Sequence, residues 1–315
     1  MRRALVVGIN DYPGSPLAGC VNDATSIAGL LEVHGDGSPN FGVLLMTSPS
    51  TPVTRPVLRE AIENLFAGDP DMALLFFAGH GYIKSTGGYL VTVDAKKYDE
   101  GVSMDEVLAL ANQSRAKNKV VILDCCHSGA MAVPALSGNG TAQLSEGLSV
   151  LTASRDSESS LEINGAGVFT SLLSDALRGG AADLRGNITP GSLYAYVDEA
   201  LGAWDQRPIF RTNVTSFASL RKIPPKVPFD VLRRITQYFS SPDAEHELDP
   251  SYEDTQACAD AVKVKIFKDL QKLQSVGLVV PVDAEFMYFA AINSTSCRLT
   301  ALGYQYWRLV NEKKL

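Results

Sequence analysis

The sequence has no run of 18 or more apolar residues, so nothing in it has the length of an ordinary membrane-spanning helix. It has only four histidines and no Cys-x-x-Cys pair, which argues against a structural zinc site. Its five cysteines are odd in number, and Cys125 and Cys126 are adjacent, a poor framework for disulfides. It also lacks an excess of positive charge: 28 Lys and Arg stand against 35 Asp and Glu, a net charge of −7. That balance argues against a protein whose task is to coat phosphate backbones. Met1-Arg2-Arg3 is followed only by Ala4 to Val7 before Gly8, too short for the apolar stretch of a secretion signal. A buried first strand and a cytoplasmic location are the expectation. What remains is a globular composition, 45 % hydrophobic and 20 % charged. At roughly 100–200 residues per domain, two domains are expected.

Five short apolar runs read as buried strands: Ala4–Ile9, Val43–Thr47, Ala73–Phe77, Val120–Leu123 and Ser149–Thr152. Continuous rather than alternating apolarity marks strands covered on both faces. Helical patterns lie between and after them at Asn22–Val33, Thr54–Phe66, Ser103–Ala111 and Gly167–Arg178. The fold class expected is therefore α/β, a mostly parallel sheet with helices on both faces. Proline-rich Ile223 to Pro228 ends this pattern, dividing the chain into domains at 1–222 and 229–315 with a linker at 223–228. Beyond it, helices are expected at Phe229–Phe239, Tyr252–Ala261, Val264–Val276 and Thr300–Asn311, and strands at Leu278–Val282 and Phe286–Ala291. That order resembles a winged helix-turn-helix, a small α+β domain.

Two strands run into unusual sequences. Ala73–Phe77 leads into Ala78-Gly79-His80-Gly81, and Val120–Leu123 leads into Asp124-Cys125-Cys126-His127-Ser128-Gly129. Ligand sites in such sheets form at the carboxyl ends of strands, so His80 and the cysteines can meet there. A cysteine needs a neighbouring base to become a thiolate at neutral pH, and His80 suits that role. Gly81, without a Cβ, lets the backbone approach a ligand and turn its N–H toward an oxyanion.

At these residues the chain resembles the caspase-like cysteine peptidases, and in particular their metacaspase branch of prokaryotic type. The resemblance spans about residues 4 to 215. It rests on Asp124-Cys125-Cys126-His127-Ser128-Gly129, Val6-Val7-Gly8-Ile9-Asn10-Asp11-Tyr12, Gly19-Cys20-Val21-Asn22-Asp23-Ala24, Tyr89 to Asp94, Leu151 to Ser154 and Gly167 to Thr170. It implies that Cys126 is the nucleophile and His80 the general base and acid, with the N–H groups of Gly81 and Cys126 as the oxyanion hole. It further implies that Asp23 and Asp124, beside Cys20, line the pocket for the residue before the cut. Two carboxylates there favour Arg or Lys. The structural alternative for Asp23 is the cap of a helix starting at Ala24. One departure is Ala78, where the family commonly has a serine.

The implied activity is a cysteine endopeptidase cutting a partner protein after an exposed Arg or Lys, with a role by analogy in regulated cell death or antiviral defence. No cofactor or metal is expected. Many metacaspases need calcium, but the segment 83–101 carries only Asp94, Asp99 and Glu100, without a dense acidic run. The competing reading is a DNA-binding regulator using Lys263, Lys265, Lys268 and Lys272 of the tail. From Pro225 onward, 11 Lys and Arg face 12 Asp and Glu, so DNA is disfavoured as a partner. A docking or autoinhibitory surface, one that an upstream activating protein could engage, is preferred, with no membrane partner. The stretch from Ser128 to Leu148 contains no Lys or Arg. Self-cleavage is therefore expected at Arg221-Lys222 or near Arg185, and not in that stretch.

Overall fold

Strands that read as continuous apolar runs do pair edge to edge in one sheet. The computed structural model describes residues 1–84, 87–125, 144–153, 162–163, 166–201 and 208–315. These form two compact units: Met1–Asp183 with Asn187–Ile223, and Pro224–Leu315 with Leu184–Gly186.

The first unit opens with β1 (Arg2–Gly8), α1 (Cys20–Glu32), β2 (Gly42–Thr47), α2 (Arg55–Phe66) and β3 (Met72–Ala78). A meander comes next, β4 (Gly81–Lys84), β5 (Gly87–Lys96) and β6 (Asp99–Ser103), leading into α3 (Met104–Gln113) and β7 (Asn118–Asp124). Then come β8 (Leu148–Thr152), β9 (Glu162–Ile163), β10 (Ala166–Gly167) and α4 (Val168–Asp175), the last continuing into a π-helical turn, Ala176–Gly180. The unit closes with β11 (Asn187–Ile188), α5 (Pro190–Leu201), β12 (Ile209–Asn213) and β13 (Arg221–Lys222).

The central sheet has the order β12-β8-β7-β3-β1-β2. Every neighbouring pair is parallel except β12 with β8. Alternate residues of each strand feed two separate cores, because side chains of a strand point to opposite faces. Leu5, Val7, Leu75, Phe77, Val121 and Leu123 pack with α2 and α3 on one face. Val6, Leu74, Phe76, Val120 and Ile122 pack with α1, α4 and α5 on the other. Helix α1 presents Cys20, Asp23, Ala24, Ile27, Ala28 and Leu31 to the sheet, a stripe of helical period. Ser103 caps α3 by accepting the Asp105 N–H.

Several expectations are corrected. Helix α1 begins at Cys20, not Asn22, so Asp23 lies in its first turn and cannot cap a helix at Ala24. Arg221-Lys222, expected as a self-cleavage site, is held in a strand: it pairs with β11, and Arg221 is buried, donating to the carbonyls of Val33 at 3.0 Å and Leu177 at 2.7 Å. The β4–β5–β6 meander had no distinct signature, its central strand being only half covered.

The second unit comprises α6 (Phe229–Arg233), α7 (Ile235–Tyr238), β14 (Glu245–Glu247), α8 (Ala261–Ser275), β15 (Val279–Val282), α9 (Met287–Ile292), β16 (Ser296–Leu299) and α10 (Ala301–Asn311). Its sheet has the order β14-β16-β15, antiparallel throughout. The segment Phe286–Ala291, expected as a strand, is helical. Its buried residues are Met287, Ala290 and Ala291, spaced for one helix face, while Tyr288 and Phe289 stay exposed. The expected helix Tyr252–Ala261 is reduced to a 3-10 turn over Pro250–Tyr252, and α8 starts where the Asp260 carboxylate accepts the N–H groups of Val262 and Lys263. Asp269 is buried in α8 against Arg234, at 2.7 Å, and the Tyr238 hydroxyl, also at 2.7 Å. Burial, then this carboxylate, pushes Tyr238 up to about 12. Among the described residues no helix is long and apolar enough to cross a membrane.

Candidate active site

Strands β3 and β7 are neighbours although 39 residues lie between them in sequence, and their parallel pairing aligns Ala78 with Asp124. His80 lies two residues past Ala78 and Cys126 two residues past Asp124. Cys126 itself falls outside the described residues, as does the stretch from 126 to 143. Cys125 is described and fully buried, packed in the core with residues such as Leu5, Val7 and Phe77.

His80 is gripped at two points. Its N–H donates to the Tyr12 hydroxyl at 3.1 Å, and that hydroxyl donates to the Val91 carbonyl at 3.1 Å. The Tyr12 and His80 rings lie 4.6 Å apart between centroids. Burial pushes the Tyr12 hydroxyl well above its ordinary range, against the opposing pull of the His80 N–H, so it stays neutral. Gly79 makes room for this arrangement: a Cβ there would sit 2.4 Å from the Tyr12 oxygen. At the other end, His80 Nε2 lies 2.8 Å from the Ser15 carbonyl oxygen and 3.2 Å from its hydroxyl. In the tautomer that satisfies the carbonyl, Nε2 carries the proton and Nδ1 keeps the lone pair a general base needs.

The two carboxylates converge on the other face of the sheet. Asp23 in α1 and Asp124 at the end of β7 are both buried. Asp23 Oδ2 accepts the Gly167 N–H at 3.1 Å, and Asp124 Oδ2 accepts the Thr170 hydroxyl at 2.6 Å. A Cβ on Gly167 would stand 2.8 Å from Asp124 Oδ2 and 3.2 Å from Asp23 Oδ2, so a side chain there would press on both carboxylates. Cys20, one turn before Asp23, is buried on the same helix face. Gly81 begins β4, next to His80, in register with Leu90.

Three contributors were not legible beforehand. Ser15 acts through its carbonyl, which no residue type announces. Tyr12 and Thr170 stand within the motifs that carry the family resemblance, but their hydroxyl partners are remote in sequence. The acids of the 83–101 segment are engaged: Asp94 accepts from the Arg55 N–H and Thr92, Asp99 pairs with Arg55, and Glu100 pairs with Lys84. Among the described residues no cluster of three or more His, Cys, Asp or Glu is arranged to hold a metal.

A mostly parallel sheet with helices on both faces places this unit in the α/β class. The caspase-domain family model matches residues 1–218, and the chain belongs to that family. A caspase domain is a cysteine-peptidase domain, and membership supports that class of activity. Among solved structures, protein GSU0716 from Geobacter sulfurreducens matches with a TM-score of 0.51 at 19 % identity, covering 71 % of this chain and 97 % of its own. Caspase-1 from Spodoptera frugiperda matches with a TM-score of 0.50 at 14 % identity, covering 70 % of this chain and 90 % of its own. Both likenesses concern the fold. No curated protein matches the chain.

Proposed function

We propose that the chain is a cysteine endopeptidase of the metacaspase-like branch that cuts a partner protein after Arg or Lys. Cys126 is the nucleophile. His80 takes its thiol proton, and the sulfur adds to the carbonyl carbon before the leaving amine. The N–H groups of Gly81 and Cys126 hold the oxyanion. The C–N bond breaks as His80 returns the proton to the amine, leaving a thioester. Water, deprotonated by His80, then releases the acid and restores the thiol.

The observation that carries this reading is the buried pair Asp23 and Asp124 closing around Gly167. Two carboxylates held there by a backbone N–H and a threonine hydroxyl suit a guanidinium or ammonium, and would repel an acidic side chain. Calcium is not needed on this reading, since Asp94, Asp99 and Glu100 already have partners in the protein.

The division into a peptidase domain at 1–222 and a winged-helix-like tail at 229–315 belongs to the same proposal. The strand order β14-β16-β15, with α8 before β15, supports the tail's reading. Three of the four lysines considered for DNA argue against it: Lys263 pairs with Asp249, Lys268 with Asp254 and Lys272 with Asp269, which leaves Lys265. Phosphates would have to displace all three carboxylates. A tail that recruits an activating protein or restrains the peptidase fits better, in a cytoplasmic role in regulated cell death or defence.

The test uses purified protein and fluorogenic peptides ending in Arg, Lys or Asp, with and without calcium. Cleavage after Arg and Lys, absent in Cys126→Ala and His80→Ala, is expected. Equal cleavage after Asp would overturn the acidic-pocket reading.

A further inference from the structure

A cleft shares His80 with the candidate active site but none of its carboxylates. It has a volume of about 620 Å³ and runs from Ser15, His80 and Gly81 along the β4–β5–β6 meander. Cys20, Asp23, Asp124 and Gly167 do not line it. Its wall carries three ammonium groups, Lys84, Lys96 and Lys97, against one carboxylate, Glu100. Glu100 is paired with Lys84. Among the described residues neither Lys96 nor Lys97 forms an ion pair. Two aromatic rings flank the cations: Tyr98 lies 5.2 Å from Lys84 Nζ and 5.1 Å from Lys97 Nζ, and Tyr82 lies 5.9 Å from Lys84 Nζ. The chain as a whole carries a net charge of −7, so this cationic wall runs against the global balance. A local field of opposite sign selects ligands the rest of the surface repels.

A peptide substrate has a direction, and the chemistry assigns it. The proton His80 delivers goes to the amine nitrogen of the leaving half, so that half must pass beside the imidazole. The residue before the cut occupies the carboxylate pair. The leaving half of the substrate therefore runs along the cleft that His80 opens into. From this we infer that the Lys84–Lys96–Lys97 cleft binds the segment after the scissile bond and selects acidic side chains there, with Tyr82 and Tyr98 packing against it. This rests on the peptidase reading and deepens it. The preferred substrate is a protein segment in which a basic residue is succeeded, within about three residues, by Asp or Glu, a charge pattern complementary to the carboxylate pair and to this cleft. The volume suits a short peptide segment. Lys96 and Lys97 are exposed, so the preference is modest and screened by salt.

Three internally quenched peptides test this, identical up to an Arg and then bearing acidic, neutral or basic residues at the next three positions. A fourth substrate carries Arg attached directly to a coumarin and so has no peptide after the cut. Wild-type protein is expected to cut the acidic peptide about threefold to tenfold faster in kcat/KM than the neutral one, with the basic one slowest. The advantage should shrink in about 0.5 M salt. In the Lys96→Glu/Lys97→Glu variant the order should reverse, and because each variant is compared across its own substrates, a partly folded preparation does not alter the ranking. Equal rates for all three peptides, with the coumarin substrate still cut, would overturn the acidic-cleft assignment alone. Failure to cut any of the four would overturn the peptidase reading, and this inference with it.

Discussion

Replacing Tyr12 by Phe removes one oxygen and keeps the ring volume, so it isolates the hydrogen bonds that hold His80. The hydroxyl accepts the His80 N–H and donates to the Val91 carbonyl, both at 3.1 Å. Both partners are partly buried, and each lost bond costs about 1 kcal/mol, for about 2 kcal/mol in all. For a unit of this size that lowers the melting temperature by about 4–8 °C. The imidazole keeps its Ser15 contacts at Nε2 but loses its backbone anchor, so kcat should fall about tenfold while KM for an Arg peptide changes little. Gly79→Ala attacks the same point from the other side, placing a methyl 2.4 Å from the hydroxyl and 3.0 Å from Phe77 Cζ. Alone it costs about 1–3 kcal/mol by overpacking. Because Tyr12→Phe removes the nearer clashing atom, the double variant should be more stable than the sum of the two losses by about 1 kcal/mol. Thermal unfolding and steady-state kinetics on the four proteins decide the matter. Strictly additive losses, or a Tyr12→Phe protein with unchanged melting temperature, would show that the hydroxyl does not hold His80.

Gly167→Ala keeps an ordinary backbone conformation, φ −65° and ψ 134°, so its strain falls on the Asp23–Asp124 pair. KM for Arg peptides should rise about tenfold or more, and an unchanged KM in a folded variant refutes the pocket. Cys125→Ala should retain most peptidase activity and lose about 1 kcal/mol of stability, since that thiol is core packing; abolished activity in a folded protein would contradict the choice of Cys126. Burial pushes the Cys297 thiol up to about 12 from an ordinary value of 9.0. The folded state then keeps a proton that the unfolded chain releases, so this contribution is intact below about pH 9 and is lost between about pH 9 and 12, at up to about 1.4 kcal/mol per pH unit. Cys297→Ala should flatten the alkaline limb of urea-unfolding midpoints, and an identical limb counts against it. Self-cleavage should fall at exposed Arg185 and spare both Ser128–Leu148 and the buried Arg221. New N-termini mapped by mass spectrometry against Cys126→Ala check this, and a terminus at 222 or 223 would refute it.

The amino-acid order alone pointed to a doubly covered, mostly parallel sheet in the first unit, because uninterrupted runs such as Ala73–Phe77 and Val120–Leu123 alternate with helical patterns and suit strands covered on both faces. It also placed Gly79-His80-Gly81 and Asp124-Cys125-Cys126 just at or past the carboxyl ends of two strands. These are local patterns, and local patterns are what a sequence carries. In the second unit the same reading failed at Phe286–Ala291, since six apolar residues fit either period until Met287, Ala290 and Ala291 find a common face to cover. Strand order decided the rest. The pairing of β3 with β7 sets Ala78 beside Asp124. The packing of α1 and α4 on one face closes Asp23 and Asp124 around Gly167, and the loop after β1 brings a carbonyl of Ser15 to His80. Carbonyls, glycine gaps and ion pairs such as Lys263 with Asp249 draw their meaning from what lies across space. That information exists only once distant segments have packed, which is why the tertiary structure, and not the residue pattern, set the wall of three lysines beside His80.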